Sequence, residues 1–304
     1  MRRHDFRARV RSIVVAVSLV AAGACSSARA ITTSPPPPVQ IPTSYTTTAE
    51  RARHVGKGHV SELAVASADH DVPVRTVWVY RPDVPDSPSL PVVYFLHGIP
   101  GDSLDLFGAG AAVVLDKMFA AGMPPFVVAA PTGWGYAHAD TEWANSVDGL
   151  DRVETYVVDN VIPAVEGRHR RDRNHRVIAG FSMGGYGAAN LALRHANLFA
   201  SAAVFAGYFH IDDPDEVFGR DPGVEAANDP EELITRVHDV QFWLADGTND
   251  TEPVVQGEAV RFAKLAGPDV APGDLVLAPG SHDFTFVLTH FPELGNFVAR
   301  VSHT

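Results

Sequence analysis

A serine flanked by two glycines, at residues 180–184, stands between an apolar run and a pattern typical of a helix. The apolar run at 177–179 predicts a short buried strand, and the alanines and leucines after the glycines predict the helix. A serine on the sharp turn between them takes strained backbone angles, and side chains two positions away on either side would collide with the chain. Gly180 and Gly184 meet that requirement. The pattern predicts a nucleophile elbow with Ser182 as the nucleophile.

A serine hydroxyl becomes a good nucleophile only when a base takes its proton and an acid orients that base. In the α/β-hydrolase arrangement the acid follows the serine and the histidine comes last. The run 240–244 predicts a buried strand, and a turn-rich loop with two aspartates follows it. Asp250 is the predicted acid. Asp246, nearer the end of the strand, is the alternative.

The predicted base is His282. It lies in a glycine-containing loop that follows a predicted last strand at 275–277 and precedes a predicted C-terminal helix. The chain has 14 histidines, so a histidine alone indicates little. We expect His290, His303 and the histidines before Ser182 to lie at the surface.

Acyl transfer also needs backbone donors directed at the negative charge that develops on the carbonyl oxygen. The amide of Met183, directly after the predicted nucleophile, is one candidate. The second is the amide of Ile99, in the glycine loop 97–102 that follows the apolar run 92–96. These two amides form the predicted oxyanion hole.

The chain resembles the putative-esterase family, which includes esterase D, feruloyl esterases and mycobacterial mycolyltransferases. The resemblance extends over residues 62–301, and its main segments are Val92–Gly101, Gly180–Gly187, Leu193–Phe199 and Gly280–Phe284. It implies an α/β-hydrolase fold with a mostly parallel central sheet flanked by helices. It also implies the same five site residues, which are Ser182 as nucleophile, Asp250 as acid, His282 as base, and Ile99 and Met183 as the oxyanion hole.

We therefore expect a serine carboxylic-ester hydrolase that acts through an acyl-Ser182 intermediate. Transfer of the acyl group to a sugar or lipid acceptor, as in the mycolyltransferases, is the alternative within enzymes, because the same triad serves both reactions. A binding protein that kept the fold and lost the chemistry is a third interpretation, which the intact triad disfavours. No cofactor and no metal are predicted, since no zinc spacing or phosphate loop occurs.

Three aromatic residues are candidates for the substrate site. Trp134 and Trp143 follow a predicted strand on the side where active-site loops gather in such sheets, and Phe284 lies two residues after His282. They would line an acyl or sugar pocket. The alternative is that the two tryptophans only pack their own loop.

The amino terminus predicts export. Residues 1–24 combine five arginines with a short apolar run, as in a signal peptide. The only cysteine, Cys25, follows directly, at the position where a bacterial lipoprotein is processed and lipidated. This predicts a protein anchored in the cell envelope through its lipid and by no other membrane contact. Ordinary cleavage after Ala30, which would give a freely secreted protein, is the alternative.

Residues 25–50 are rich in proline and threonine and predict an exposed linker. Residues 51–304 have a suitable length for one catalytic α/β domain. Antiparallel strands are expected at 60–65 and 72–79. Inner strands are expected at 92–96, 126–130, 177–179, 202–205 and 240–244.

The net charge indicates which partners are unfavourable, and the cysteine content indicates how the fold is stabilised. The formal net charge is −12 at pH 7, so the surface repels nucleic acid and anionic lipid. The expected partner is a small-molecule, lipid or sugar ester. A single cysteine excludes disulfides within the chain, so stability depends on the hydrophobic core. The sequence makes no prediction of oligomeric state.

Overall fold

The computed structural model describes residues 56–67, 69, 72–213 and 216–303. The predicted export segment at 1–24, Cys25 and the linker at 25–50 lie outside these described residues. Within them, no helix combines the length and the apolar character needed to cross a membrane.

An eight-stranded sheet forms the centre of the described part. Its strands are β1 (Gly56–Ala66), β2 (Val74–Asp83), β3 (Val92–Leu96), β4 (Val127–Pro131), β5 (Arg176–Phe181), β6 (Ser201–Phe205), β7 (Gln241–Gly247) and β8 (Val270–Ala278). The order across the sheet is β1-β2-β4-β3-β5-β6-β7-β8. The first two strands pair antiparallel with each other, and β2 also pairs antiparallel with β4. The remaining neighbours are parallel, which confirms the predicted α/β fold.

Helices and helical turns cover both faces of this sheet. They are α1 (Asp105–Gly108), α2 (Ala111–Ala120), α3 (Val153–Thr155), α4 (Ile162–Glu166), α5 (Met183–Arg194), α6 (Pro222–Asn228), α7 (Pro230–Ile234), α8 (Glu258–Ala266), α9 (Phe284–Thr289) and α10 (Phe291–Val301). A π-helical segment, Tyr156–Val161, joins α3 to α4, and short 3-10 turns span Arg173–His175 and Gly267–Asp269.

The inner strands are buried along their whole length, which explains their continuous apolar sequences. Side chains alternate between the two faces of a strand. In β3, Tyr94 and Leu96 pack into the core cluster on one face, whereas Val93 and Phe95 pack into the cluster on the other. Each face therefore has its own hydrophobic core.

The site lies where the strand order reverses. β4 pairs with one side of β3, and β5 pairs with the other. In open α/β sheets, ligands bind outside the carboxyl ends of the strands at such a point. Leu96 at the end of β3 is the register partner of Gly180 in β5. The loop after β3 and the turn after β5 are therefore brought side by side.

Candidate active site

Ser182 forms the turn between β5 and α5, with backbone angles φ 58° and ψ −124°. Non-glycine residues rarely take a positive φ, so this turn is strained. A Cβ atom at Gly180 would overlap the carbonyl group of Gly184, and a Cβ atom at Gly184 would overlap the carbonyl oxygen of Leu96. The packing of the backbone around the serine therefore requires both glycines.

Two backbone segments flank the serine. Met183 is the first residue of α5, and the amides of a helix's first turn have no partner within the helix. The helix dipole adds partial positive charge at this end. On the other side, a Cβ atom built on Gly98 would stand 2.9 Å from the Cβ of Ser182. Ile99, the other predicted oxyanion residue, follows Gly98 and is half-buried.

The structure brings Asp250 and His282 together. Nδ1 of His282 lies 2.7 Å from Oδ2 of Asp250. The other carboxylate oxygen, Oδ1, accepts a hydrogen bond from the amide of Glu252 at 2.9 Å. The Asp250 side chain is 4% exposed and that of His282 is 23% exposed. A carboxylate that accepts from Nδ1–H leaves Nε2 of the imidazole free to take a proton.

The imidazole of His282 also lies beside the elbow. The ring centroid of Phe181, the residue before Ser182, is 4.5 Å from that of His282. Among the described residues, no hydrogen bond joins the Ser182 hydroxyl to this histidine. Such contacts are often long in an unliganded enzyme and tighten when substrate binds. The arrangement can therefore place a base next to the serine hydroxyl.

His97 is buried, with 4% of its area exposed, contrary to the prediction that the histidines before Ser182 lie at the surface. Its Nδ1 lies 2.8 Å from the carbonyl oxygen of Gly98, and its Nε2 lies 2.9 Å from the amide nitrogen of Gly133. Burial lowers the pKa of His97. His290 is buried as well. The sequence signal for His97 was its place as the first residue of the glycine loop 97–102.

Trp143 does not line an open pocket, because none of its surface is exposed. Its indole packs against the backbone at Gly133 and Gly187, where a Cβ atom would come within 2.6 Å of the Trp143 side chain. Its Nε1–H donates to the carbonyl oxygen of His97 at 3.1 Å. The structure therefore leaves Trp143 no exposed surface with which to contact a substrate. Its side chain packs beneath the loop that follows β3.

The other two aromatic candidates, Trp134 and Phe284, are half-buried. The ring centroid of Trp134 is 6.2 Å from that of His97. The ring centroid of Phe284 is 5.4 Å from that of Phe181. Both aromatic rings therefore remain candidates for contact with an acyl or alcohol group.

Asp246, the alternative acid, has different contacts from Asp250. Its Oδ2 accepts a hydrogen bond from the amide of Ala259, in the first turn of α8, at 3.4 Å. Its Oδ1 is buried and has no hydrogen-bond partner among the described residues. Burial, together with the charges of Asp250 and Glu258, raises the pKa of Asp246 to about 7. The structure joins only Asp250 to the imidazole of His282.

A cavity of about 360 Å³ opens beside the acid loop. Its lining includes residues from β7, from the segment before α8, from α8 itself and from the edge strand β8, namely Asp246, Asp250, Val255, Val260 and Leu277. Neither Ser182 nor His282 lines it. In the part of the chain that the structure describes, no cluster of three or more His, Cys, Asp or Glu side chains could hold a metal ion.

Solved structures with this fold include enzymes that act on esters. A ferulic acid esterase is 21% identical over 81% of this chain and 99% of its own, with a TM-score of 0.68. An S-formylglutathione hydrolase from Agrobacterium tumefaciens is 19% identical over 80% of this chain and 95% of its own, with a TM-score of 0.63. At these identities the likeness establishes the α/β-hydrolase fold.

Two curated relatives from Mycobacterium tuberculosis match part of the chain. Esterase MT1326 of strain CDC 1551 / Oshkosh and esterase Rv1288 of strain ATCC 25618 / H37Rv are each 31% identical over 123 residues. The match covers 38% of this chain and 25% of each relative, so most of their length has no counterpart in it. The family model described as putative esterase matches residues 73–266. Because this match covers more than half of the sequence, the chain belongs to the putative esterase family.

Proposed function

We propose that the chain is an exported serine esterase that hydrolyses carboxylic esters through an acyl-Ser182 intermediate. In the first half-reaction, Oγ of Ser182 attacks the ester carbonyl carbon while Nε2 of His282 takes the hydroxyl proton. The amides of Ile99 and Met183 stabilise the negative charge on the tetrahedral intermediate. Its collapse breaks the bond to the alcohol oxygen, and the imidazolium returns the proton to that oxygen.

Water completes the reaction by the same route. Nε2 of His282 takes a proton from water as its oxygen attacks the acyl carbon. Collapse of the second tetrahedral intermediate breaks the bond to Oγ, the imidazolium of His282 returns its proton to Oγ, and the carboxylic acid is released. Asp250 stays ionised and holds the ring with its proton on Nδ1. No cofactor takes part in this scheme.

One observation carries the proposal. The hydrogen bond of 2.7 Å between Asp250 and His282 occurs beside a strained serine at the start of a buried helix. A structural turn would need neither the strained serine nor a paired carboxylate and imidazole at the same end of the sheet. Their coincidence supports a nucleophilic mechanism.

The test is hydrolysis of p-nitrophenyl esters, from acetate to palmitate, by the protein and its Ser182→Ala variant. We expect the variant to lose at least about 10⁴-fold in kcat, because removing the nucleophile disables the triad as a unit. A fluorophosphonate probe should label the native protein and leave the variant unlabelled. The chain length with the highest kcat/KM gives the size of the acyl site.

Ser201→Ala is the matched control. Ser201 is a buried serine at the start of β6, and its hydroxyl has no partner among the described residues. The same chemical change there should leave turnover intact. A native protein that folds but neither turns over any ester nor reacts with the probe would refute the proposal and favour a binding protein.

Transfer of the acyl group to a sugar or lipid alcohol is the second candidate outcome. The acyl-enzyme would be the same, and only the second nucleophile would differ. Product analysis with and without an added acceptor such as trehalose separates the two. Labelling by the probe with turnover only when the acceptor is present would favour the transferase.

The export part of the proposal rests on the sequence of residues 1–25. Lipid attachment at Cys25 would hold the protein in the membrane fraction, and a Cys25→Ser variant should then leave that fraction. Unchanged partitioning of the variant would favour cleavage after Ala30 and free secretion.

A further inference from the structure

The loop that follows β3 is held by a buried imidazole. Nδ1 of His97 lies 2.8 Å from the carbonyl oxygen of Gly98, and Nε2 lies 2.9 Å from the amide nitrogen of Gly133. Both ring nitrogens are therefore occupied by backbone groups. The scheme proposed above assigns no role to this histidine.

These two contacts fix the tautomer of the ring. The amide of Gly133 can only donate, so Nε2 of His97 must accept and carries no proton. Nδ1 then carries the proton and donates it to the carbonyl of Gly98. Burial lowers the pKa of His97, which keeps the ring neutral at pH 7. A second proton on Nε2 would place two donors face to face.

The hydrogen bond to Gly98 also sets the direction of the next amide. The peptide between Gly98 and Ile99 is trans, and in a planar trans peptide the N–H points opposite to the C=O. The carbonyl faces the imidazole of His97. The amide of Ile99 therefore faces away from the ring, while Gly98 itself lies against Ser182.

We propose that His97 is a positioning residue, whose Nδ1–H holds the Gly98–Ile99 peptide so that the Ile99 amide is directed at the oxyanion. This rests on the proposed function. It acts through the loop and touches no substrate atom. A preorganised donor of this kind stabilises the transition state more than the ground state.

The backbone of His97 and that of Gly133, the residue that donates to its ring, are held by further hydrogen bonds. Nε1–H of Trp143 donates to the carbonyl of His97 at 3.1 Å. The hydroxyl of Thr141 donates to the carbonyl of Gly133 at 2.7 Å. These contacts connect the fully buried indole of Trp143 and the Thr141 hydroxyl to the two backbone segments that the imidazole joins.

Two substitutions of His97 can each keep one of its two hydrogen bonds and remove the other. The side-chain amide of asparagine reaches about the position of Nδ1, whereas that of glutamine reaches about the position of Nε2. His97→Asn can keep the donor to Gly98, and His97→Gln can keep the acceptor for Gly133. We expect kcat to fall less than about 10-fold in His97→Asn and about 100-fold in His97→Gln, near the effect of losing one oxyanion donor.

Two further readouts distinguish positioning from a general loss of structure. KM should change little in either variant, because the contact acts in the transition state. The affinity for a trifluoromethyl ketone, which forms a charged tetrahedral adduct with the serine, should fall in step with kcat/KM. His195→Asn is the control, since His195 is hydrogen-bonded to Glu154 at the far end of α5. It should leave kcat unchanged.

The tautomer can be measured without any turnover. The ¹⁵N spectrum of the labelled protein should show the proton of His97 on Nδ1, with Nε2 unprotonated, and His97→Asn identifies the signals. A proton on Nε2, or a His97→Gln variant as fast as the native protein, would overturn the proposal. A native protein that hydrolyses no ester refutes the proposed function instead, and the spectrum still decides whether His97 holds the loop.

Discussion

The serine side of the site and the acid–histidine side are held by different kinds of contact. Ser182 is positioned by its own backbone, in a turn that leaves no room for a Cβ at Gly180 or Gly184. Asp250 and His282 are 32 residues apart in sequence and are joined by a hydrogen bond between side chains. A backbone constraint of the first kind leaves a local sequence motif. A side-chain contact of the second kind leaves none, and a neighbouring carboxylate could in principle replace the acid.

Among changes that leave Ser182 in place, the largest expected effect comes from removing the charge of the acid that orients His282. Asp250→Asn keeps the shape of the acid and removes its charge, so the imidazole loses both its fixed tautomer and the partner of its charged form. We expect kcat on a p-nitrophenyl ester to fall about 10³- to 10⁴-fold at pH 7, as the loss of a triad carboxylate does elsewhere.

Asp246→Asn is the matched comparison, because it makes the same change four residues away. We expect its kcat to stay within about threefold of the native value, the range of a substitution that does not touch the reacting groups. A larger loss in Asp246→Asn than in Asp250→Asn would show that the acid is Asp246.

The next largest effect is expected from a substitution that disturbs the backbone turn at Ser182. In Gly184→Ala the new methyl group would overlap the backbone carbonyl of Leu96, which cannot move without disturbing β3. We expect a loss of about 3 kcal/mol in the free energy of unfolding, measured with urea, and a lower kcat.

Gly108→Ala is the control for this change. Gly108 ends α1, and a Cβ atom there would meet nothing within 4 Å. Alanine at such a position is neutral or slightly stabilising. If Gly184→Ala were as stable and active as the native protein, the turn would have to be more adaptable than its backbone packing indicates.

Much of the fold could be predicted because the inner strands are buried on both faces. Their continuous apolar runs predicted β3 to β7 with boundaries close to those observed. The edge strand β8 was predicted only at 275–277, but it begins at Val270. Its first half contains Pro272 and Gly273, which are exposed, so it lacks the apolar pattern on which the prediction depended.

Site residues could be predicted from the sequence where neighbouring residues in the chain determine their positions. The elbow was visible because its glycines are required by the turn itself. The sequence left Asp246 open as the acid, since both aspartates follow the same strand and the choice depends on a contact with His282. The roles of His97 and Trp143 could not be predicted, because they depend on hydrogen bonds between residues 36 and 46 positions apart.

The smallest expected effect is a change in how the free energy of unfolding depends on pH, and it arises from Asp246. In the folded protein the pKa of Asp246 is raised to about 7, above the ordinary value of about 3.9. The folded state therefore binds this proton more tightly than the unfolded state. The resulting stability is fully present below about pH 4 and is lost as the pH rises to about 7.

An uncharged Asp246→Asn variant lacks this dependence on pH. Relative to the native protein, its free energy of unfolding should rise by about 2 kcal/mol between pH 5 and pH 8, after allowance for partial solvent screening. Urea unfolding at both pH values measures it, with Glu252→Gln, an exposed carboxylate in the same loop, as the control. If the free energy of unfolding of the two variants depends on pH in the same way, then burial does not raise the pKa of Asp246. The hydrogen bond to His282, which Asp250 makes and Asp246 does not, would then be what distinguishes the two aspartates.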